Sequence, residues 1–210
     1  MNKKDIKNFM EKLKNAYPDA MCSLDFNTPF ELVVAVALSA QCTDERVNKI
    51  TPILFKRCQT IQEYVDIDIS ELEKIIHSCG FYKNKAKNIK LCAQQIIKNF
   101  DGNVPIEYED LTSLAGIGRK SANVIRLEVF DIATGIAVDT HVKRISNLIG
   151  LSKESDPIKI EKDLLIFFPK KYLKDINHLF IYHGRNTCIA RHPKCEICPI
   201  NIYCNFYKNK

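Results

Sequence analysis

The sequence predicts an all-α fold, and three observations carry that prediction. Apolar residues recur at helical spacing through most of the chain, helix-start and helix-stop residues bracket those stretches, and no strand pattern of alternating apolar and polar residues appears. At 210 residues, 46% hydrophobic and 27% charged, the chain can bury a sizeable core in one large domain or two small ones, and disorder is not expected. The formal charge of +6 is compatible with a polyanionic partner, although a solvated lysine-rich surface gives the same figure. Met1-Asn2-Lys3-Lys4-Asp5 leads into no apolar signal core, and the longest apolar run, 32–38, is too short to span a bilayer. A cytosolic protein with no membrane partner is therefore expected.

Thr28-Pro29-Phe30-Glu31 is a capping box with proline at the first helical position, opening a helix over 29–38 that is apolar nearly all round and so belongs in the core. A second helix fits 44–55, with acids in its first turn and Val47, Ile50 and Leu54 on one face. Pro52 should bend or shorten it. Ser70-Glu71-Leu72-Glu73 repeats the capping-box logic for a stripe of Leu72, Ile75, Ile76 and Cys79 that ends at Gly80. Ile89, Cys92, Ala93, Ile96, Ile97 and Phe100 make another stripe, ended by Gly102, and a short helix reaches Leu114. Asp156-Pro157 starts a helix through Phe168, closed by Pro169, and a further helix runs from about Tyr172 to His183 before Gly184. Neither a low-complexity linker nor an internal repeat is present, so the domains should pack closely.

Function is concentrated in residues 114–139. In Leu114-Ala115-Gly116-Ile117-Gly118 two glycines flank one apolar residue, which allows a sharp turn with exposed amides while Leu114 and Ile117 anchor it inward. Those amides precede a helix from Arg119 to Phe130, whose dipole adds positive potential, so the turn can grip a phosphate. The same motif also suits an ordinary helix–turn–helix corner. Lys120 shifts the balance toward chemistry: an amine attacks a carbonyl carbon only when neutral, and a positive helix end favours that form. The loop 131–138 is long enough to bring Asp139 back beside Lys120. Asp139 also reads as the N-cap of a helix through Ile149, stopped by Gly150, and a carboxylate can serve both as cap and as base or electrostatic partner.

Cys22, Cys42, Cys58, Cys79 and Cys92 are scattered and read as reduced core residues, Cys79 and Cys92 on apolar helix faces. Cys188, Cys195, Cys198 and Cys204 instead follow a C-x6-C-x2-C-x5-C spacing, bent around one point by Pro193 and Pro199, which is a metal site. Zinc sites more often pair two C-x2-C knuckles across a longer loop, so a 4Fe–4S cluster is favoured over zinc. Arg191, His192 and Lys194, on a loop the cluster would stiffen, suggest a phosphate contact as well as a solvated surface.

The segments LSAQCTDERVNK, LAGIGRKSANV, AVDTHV and HGRNTCIARHPKCEICPI, in order and spacing, resemble the endonuclease III family over nearly the whole chain. The resemblance implies a helix–hairpin–helix DNA glycosylase fold with a six-helix barrel domain over 22–132 and a discontinuous iron–sulfur cluster domain over 1–21 and 133–210. By the same resemblance Lys120 is the Schiff-base lysine, Asp139 the catalytic aspartate, and Gly116, Ile117 and Gly118 the phosphate-binding hairpin. Gln41 and Phe81 would fill the space left by an extruded base, and His141 would lie at the DNA-facing end of its helix, a structural histidine being the other reading. Arg191 and Lys194 would contact DNA. The implied partner is double-stranded DNA with damaged pyrimidines or abasic sites, bound by a monomer near the nucleoid. Ala115 stands where the family usually has proline, the interval from Lys120 to Asp139 is one residue longer than usual with Gly135 absorbing it, and RLEVF departs from the usual helix end. Two alternatives remain at this point: an adenine-mismatch glycosylase, and a non-catalytic iron–sulfur DNA-binding or electron-transfer protein.

Overall fold

The computed structural model describes residues 3–209, and every regular element among them is helical. In chain order these are α1 (Lys3–Ala16), α2 (Pro29–Ser39), α3 (Asp44–Arg57), α4 (Ile61–Asp66), α5 (Ile69–Ile76), α6 (Tyr82–Phe100), α7 (Tyr108–Ser113), α8 (Arg119–Phe130), α9 (Thr140–Ile149), α10 (Pro157–Phe167), α11 (Leu173–Asn186) and α12 (Asn205–Lys208). They divide into two compact units, residues 22–131 and residues 1–21 with 132–210.

In the first unit α2 is the core element. Both bonds of its capping box form, Thr28 accepting from the Glu31 amide and Glu31 from the Thr28 amide, and Leu32, Val33, Val34, Ala35, Val36 and Leu38 are all buried. α3 is not shortened by Pro52. A proline inside a helix costs about 3 kcal/mol or more, but Val47, Ile50, Thr51 and Leu54 are buried on both sides of it, and that packing carries the helix on to Arg57. α4 has its own capping box from Thr60 and Glu63 and is too short for periodicity to reveal. The cap of α5 is Asp68 and not Ser70: the Asp68 carboxylate accepts from the Ser70 and Glu71 amides, a stronger acceptor placed two residues earlier. Cys79 lies not on a helix face but in a 3-10 turn, His77–Cys79, that separates α5 from Gly80.

Of the scattered cysteines Cys58, Cys79 and Cys92 are buried, whereas Cys22 and Cys42 are half-buried at the edge of the core; all are free. Burial pushes the Cys92 thiol up to about 12 and Cys22 to about 11, which keeps both protonated and unreactive.

The second unit joins the N-terminal helix to the C-terminal part of the chain. Ile6, Phe9, Met10 and Leu13 of α1 are buried at helical spacing. The Phe9 ring sits 6.1 Å from Phe168, 6.2 Å from Phe180 and 5.7 Å from Tyr203, so one aromatic anchors α1 to α10, α11 and the C-terminal loop. α11 begins at Leu173 after a 3-10 turn, Lys170–Tyr172, and Gly184 does not stop it. The glycine lies inside the helix because the neighbouring α9 comes too close for a side chain: a Cβ there would sit 2.4 Å from His141 Nδ1 and 3.0 Å from Arg144 Nη2.

Candidate functional site

The turn between α7 and α8 is built from both ends. Leu114 and Ile117 are buried, and the Ile117 N–H donates to the Leu114 carbonyl at 3.1 Å. Gly116 has φ +79, and a Cβ there would also meet Asn88 Cβ at 3.1 Å, so both the backbone and the space ask for glycine. The Ala115 N–H donates to Gln95 Oε1 of α6 at 2.7 Å, and Gln95 Nε2 donates to the Ser113 carbonyl at 3.4 Å. Proline could not make the first of these bonds, so the departure at Ala115 is matched by a tether that a proline-containing turn would lack. Gly116, Gly118, Arg119 and Lys120 are exposed, with Gly118 at the N-cap of α8 and Lys120 second in the helix. Amides at a helix N-terminus and a primary amine in its first turn form an arrangement suited to an anionic ligand.

Two further residues of this unit hold unusual backbone conformations. Gln41 has φ 53 and Phe81 φ 47, the left-handed region that bulky residues avoid, and Phe81 is 66% exposed. Asp101 and Asp131 share the conformation, but they end α6 and α8 and are of a type that tolerates it. A strained, exposed phenylalanine stabilises no core and is available to something outside the chain.

In the second unit Asp139 caps α9, its Oδ1 accepting from the Val142 N–H at 2.8 Å, and is half-buried. His141 lies against Gly184 and is held by Arg144 Nη2 at 3.3 Å. The same Arg144 nitrogen donates to the Gly184 carbonyl at 3.1 Å and the Cys188 carbonyl at 2.7 Å, tying α9 to α11 and to the first cysteine of the cluster motif.

Cys188, Cys195, Cys198 and Cys204 are all half-buried and line one pocket with apolar walls that include Ile145, Ile149 and Ile200. Cys204 Sγ approaches the Leu148 carbonyl at 3.4 Å, and Cys198 Sγ lies 3.7 Å from His183 Nε2, whose Nδ1 is 2.9 Å from Tyr17 Oη. Burial pushes the Cys198 thiol up to about 11 and raises Cys188, while burial and then Arg144 hold His183 down at about 4. Four thiolates are costly in such surroundings without a compensating positive core, which an iron–sulfur cluster supplies. Among the described residues no three His, Cys, Asp or Glu side chains close around a single ion; the fit to a cluster rests on the shared pocket and the all-sulfur donor set. Arg191 and Lys194 are exposed on the loop between the first two cysteines, and the Lys194 N–H donates to the Thr187 carbonyl at 2.9 Å.

Sequence reasoning missed Gln95, Arg144 and His183, which hold the hairpin, α9 and the cysteine pocket. Each is a polar residue whose partner is distant in sequence, and nothing local distinguishes it from a surface side chain; only His183 lies within a motif, HGRNTC.

Residues 34–170 match the model of the HhH-GPD superfamily base excision DNA repair proteins, and residues 188–204, from the first motif cysteine to the last, match the iron–sulfur binding domain of endonuclease III. The chain is thus an all-α helix–hairpin–helix DNA glycosylase carrying a 4Fe–4S cluster. It is 49% identical over 192 residues to endonuclease III of Synechocystis, covering 91% of this chain and 88% of that one, and 41% identical over 205 residues to endonuclease III of Bacillus subtilis, covering 97% and 93%. A solved structure of a trapped endonuclease III–DNA covalent intermediate superposes with a TM-score of 0.93 at 38% identity, over 100% of this chain and 98% of the other. The chain belongs to the endonuclease III family, and is a DNA-binding base-excision glycosylase with abasic-site lyase activity. Neither the adenine-mismatch nor the non-catalytic reading has better support. Among the described residues no helix is long and apolar enough to cross a membrane.

Proposed function

We propose that the chain removes oxidised or ring-saturated pyrimidines from duplex DNA, acting as a monomer near the nucleoid, with Lys120 as nucleophile. Such bases stack and pair poorly, so extruding one costs less than extruding a normal base. Lys120 Nζ forms a bond to the sugar C1′ as the glycosidic bond breaks and the base leaves with its electron pair. Asp139 takes the proton from the attacking amine or stabilises the positive sugar. Ring opening gives the Schiff base; loss of a C2′ proton then expels the 3′ phosphate by β-elimination, and water releases the lysine. Gly116, Ile117 and Gly118 hold a backbone phosphate, Gln41 and Phe81 fill the space the base vacates, and His141 lies near the DNA. Cys188, Cys195, Cys198 and Cys204 hold the cluster, which supplies rigidity to the loop bearing Arg191 and Lys194. In this reading residues 22–132 are the barrel domain, and 1–21 with 133–210 the cluster domain.

The observation that carries the proposal is the exposed Lys120 in the first turn of α8, directly after the tethered glycine hairpin. Trapping with borohydride on a thymine-glycol duplex tests it. A covalent protein–DNA adduct is expected, formed with strand cleavage at the lesion; excision without an adduct would instead mean hydrolysis by water alone.

If Arg191 and Lys194 each neutralise one phosphate, replacing both with alanine weakens binding to damaged and undamaged duplexes alike and makes the log–log salt slope shallower by about two units. Single-turnover excision at saturating enzyme stays near normal. An unchanged slope in a salt titration would leave a solvated loop, and a loss confined to damaged DNA would move these residues to lesion recognition.

A further inference from the structure

α6 carries several lysines, and Lys85 is the buried one among them. Lys85 is 7% exposed, and its Nζ donates to the Leu38 carbonyl at 2.9 Å and the Cys79 carbonyl at 2.6 Å. Leu38 lies in the last turn of α2, where carbonyls lack a helical partner. Cys79 is the last residue of the 3-10 turn after α5. Gln41 follows the first acceptor by three residues and Phe81 follows the second by two, so one ammonium group joins the two turns that end in strained, left-handed residues. The Cys42 and Cys79 side chains lie beside the same ammonium group. Strained backbone persists only where its surroundings over-determine it, and these ties are what surrounds it here.

We infer that Lys85 is a positioning residue that holds the Gln41 and Phe81 turns together as one two-pronged wedge, so that both enter the base stack at once when the damaged base leaves. The inference rests on the proposed gap-filling role of Gln41 and Phe81. Without the ammonium, two buried carbonyls lose their donor and each turn relaxes by itself. The step that suffers is base extrusion. Cleavage at a preformed abasic site, where no base must leave the stack, suffers less. Lys90 supplies the control: on the same helix it donates to the Val65 and Ile67 carbonyls, the same kind of bond made to the end of α4 and not to the turn of either prong.

The test uses the full cluster-loaded chain and two single-turnover rates, excision from a thymine-glycol duplex and strand cleavage at an abasic site. Lys85→Met is expected to slow excision by about tenfold or more and abasic-site cleavage by less than about threefold. Lys90→Met is expected to lower thermal stability without changing the ratio of the two rates. In a Phe81→Ala background, adding Lys85→Met is expected to change excision by less than about twofold, because with one prong gone there is no longer a pair to hold together. Parallel loss of both rates in Lys85→Met, or full additivity with Phe81→Ala, would reduce Lys85 to a structural residue. If Phe81→Ala and Gln41→Ala leave the ratio at the native value, the gap-filling reading itself fails and the inference falls with it. That outcome is distinct from a ratio that responds to Phe81→Ala but not to Lys85→Met. Should Lys85→Met fail to fold, Lys85→Gln, whose amide sits one bond short of the Nζ position that bridges the two carbonyls, is read in the same assays against the same limits.

Discussion

Lys120→Gln is expected to retain DNA binding and lose the borohydride-trapped adduct altogether. The substitution is mild for the fold: the side chain is exposed in the first turn of α8, glutamine has nearly the same helix propensity as lysine, and removing a cation from a positive helix end relieves repulsion. The hairpin anchored by Leu114, Ile117 and Gln95 is untouched, so binding changes by no more than one phosphate contact, a salt-slope change of about one unit at most. The chemistry has no such reserve. Borohydride reduces a carbon–nitrogen double bond, and if Lys120 is the nucleophile none forms without its amine. Single-turnover excision should fall at least about a thousandfold. Undiminished trapping on the thymine-glycol duplex would assign the nucleophile to another amine.

Asp139→Asn separates the two roles of that side chain. Asparagine caps helices about as well as aspartate, so the bond to the Val142 N–H survives and α9 keeps its start. Loss of the charge at a helix N-terminus costs about 0.3–1 kcal/mol, a shift of a few degrees at most in a melting curve. If the carboxylate assists the amine or stabilises the sugar cation, excision falls by about two to four orders of magnitude. The expected result is a folded, DNA-binding, nearly inactive protein. Asp139→Ala should add a stability loss of about 1 kcal/mol from the missing cap. Near-native turnover by Asp139→Asn would leave only the structural role.

The helices that carry these two residues are legible in the sequence because their ends are marked by chemistry that acts locally. Gly118 before Arg119, Asp139 before Thr140 and Gly150 after Ile149 each satisfy or release the backbone of the next few residues, and the structure ends the helices there. The Thr28–Glu31 box is of the same kind. What escapes is whatever depends on a partner far along the chain. α1 carries the right stripe, Ile6, Phe9, Met10 and Leu13, but its significance comes from Phe168, Phe180 and Tyr203, more than 150 residues away. α4 fits in too few residues for a period to register. Pro52 reads as a breaker until the packing around it is known. Lys85 stands among the other lysines of α6, and only the Leu38 and Cys79 carbonyls mark its place. Gln41 and Phe81 are reached through resemblance; their left-handed backbones, the physical sign that they are special, leave no trace in residue type.

Gly184 has a practical bearing on anyone who would make this enzyme more heat-resistant. Exchanging a mid-helix glycine for alanine is a standard stabilising substitution, worth up to about 1 kcal/mol from helix propensity, and 184 is a natural choice on a secondary-structure map. Here the exchange has the opposite sign. The added methyl would collide with the His141 ring and the Arg144 guanidinium, and the residues displaced belong to the helix that Asp139 caps. A thermostability screen that accepted Gly184→Ala on propensity would lower the melting temperature and disturb the start of α9 in one step, so helix-propensity redesign of this scaffold has to begin by excluding the position where two helices touch backbone to side chain.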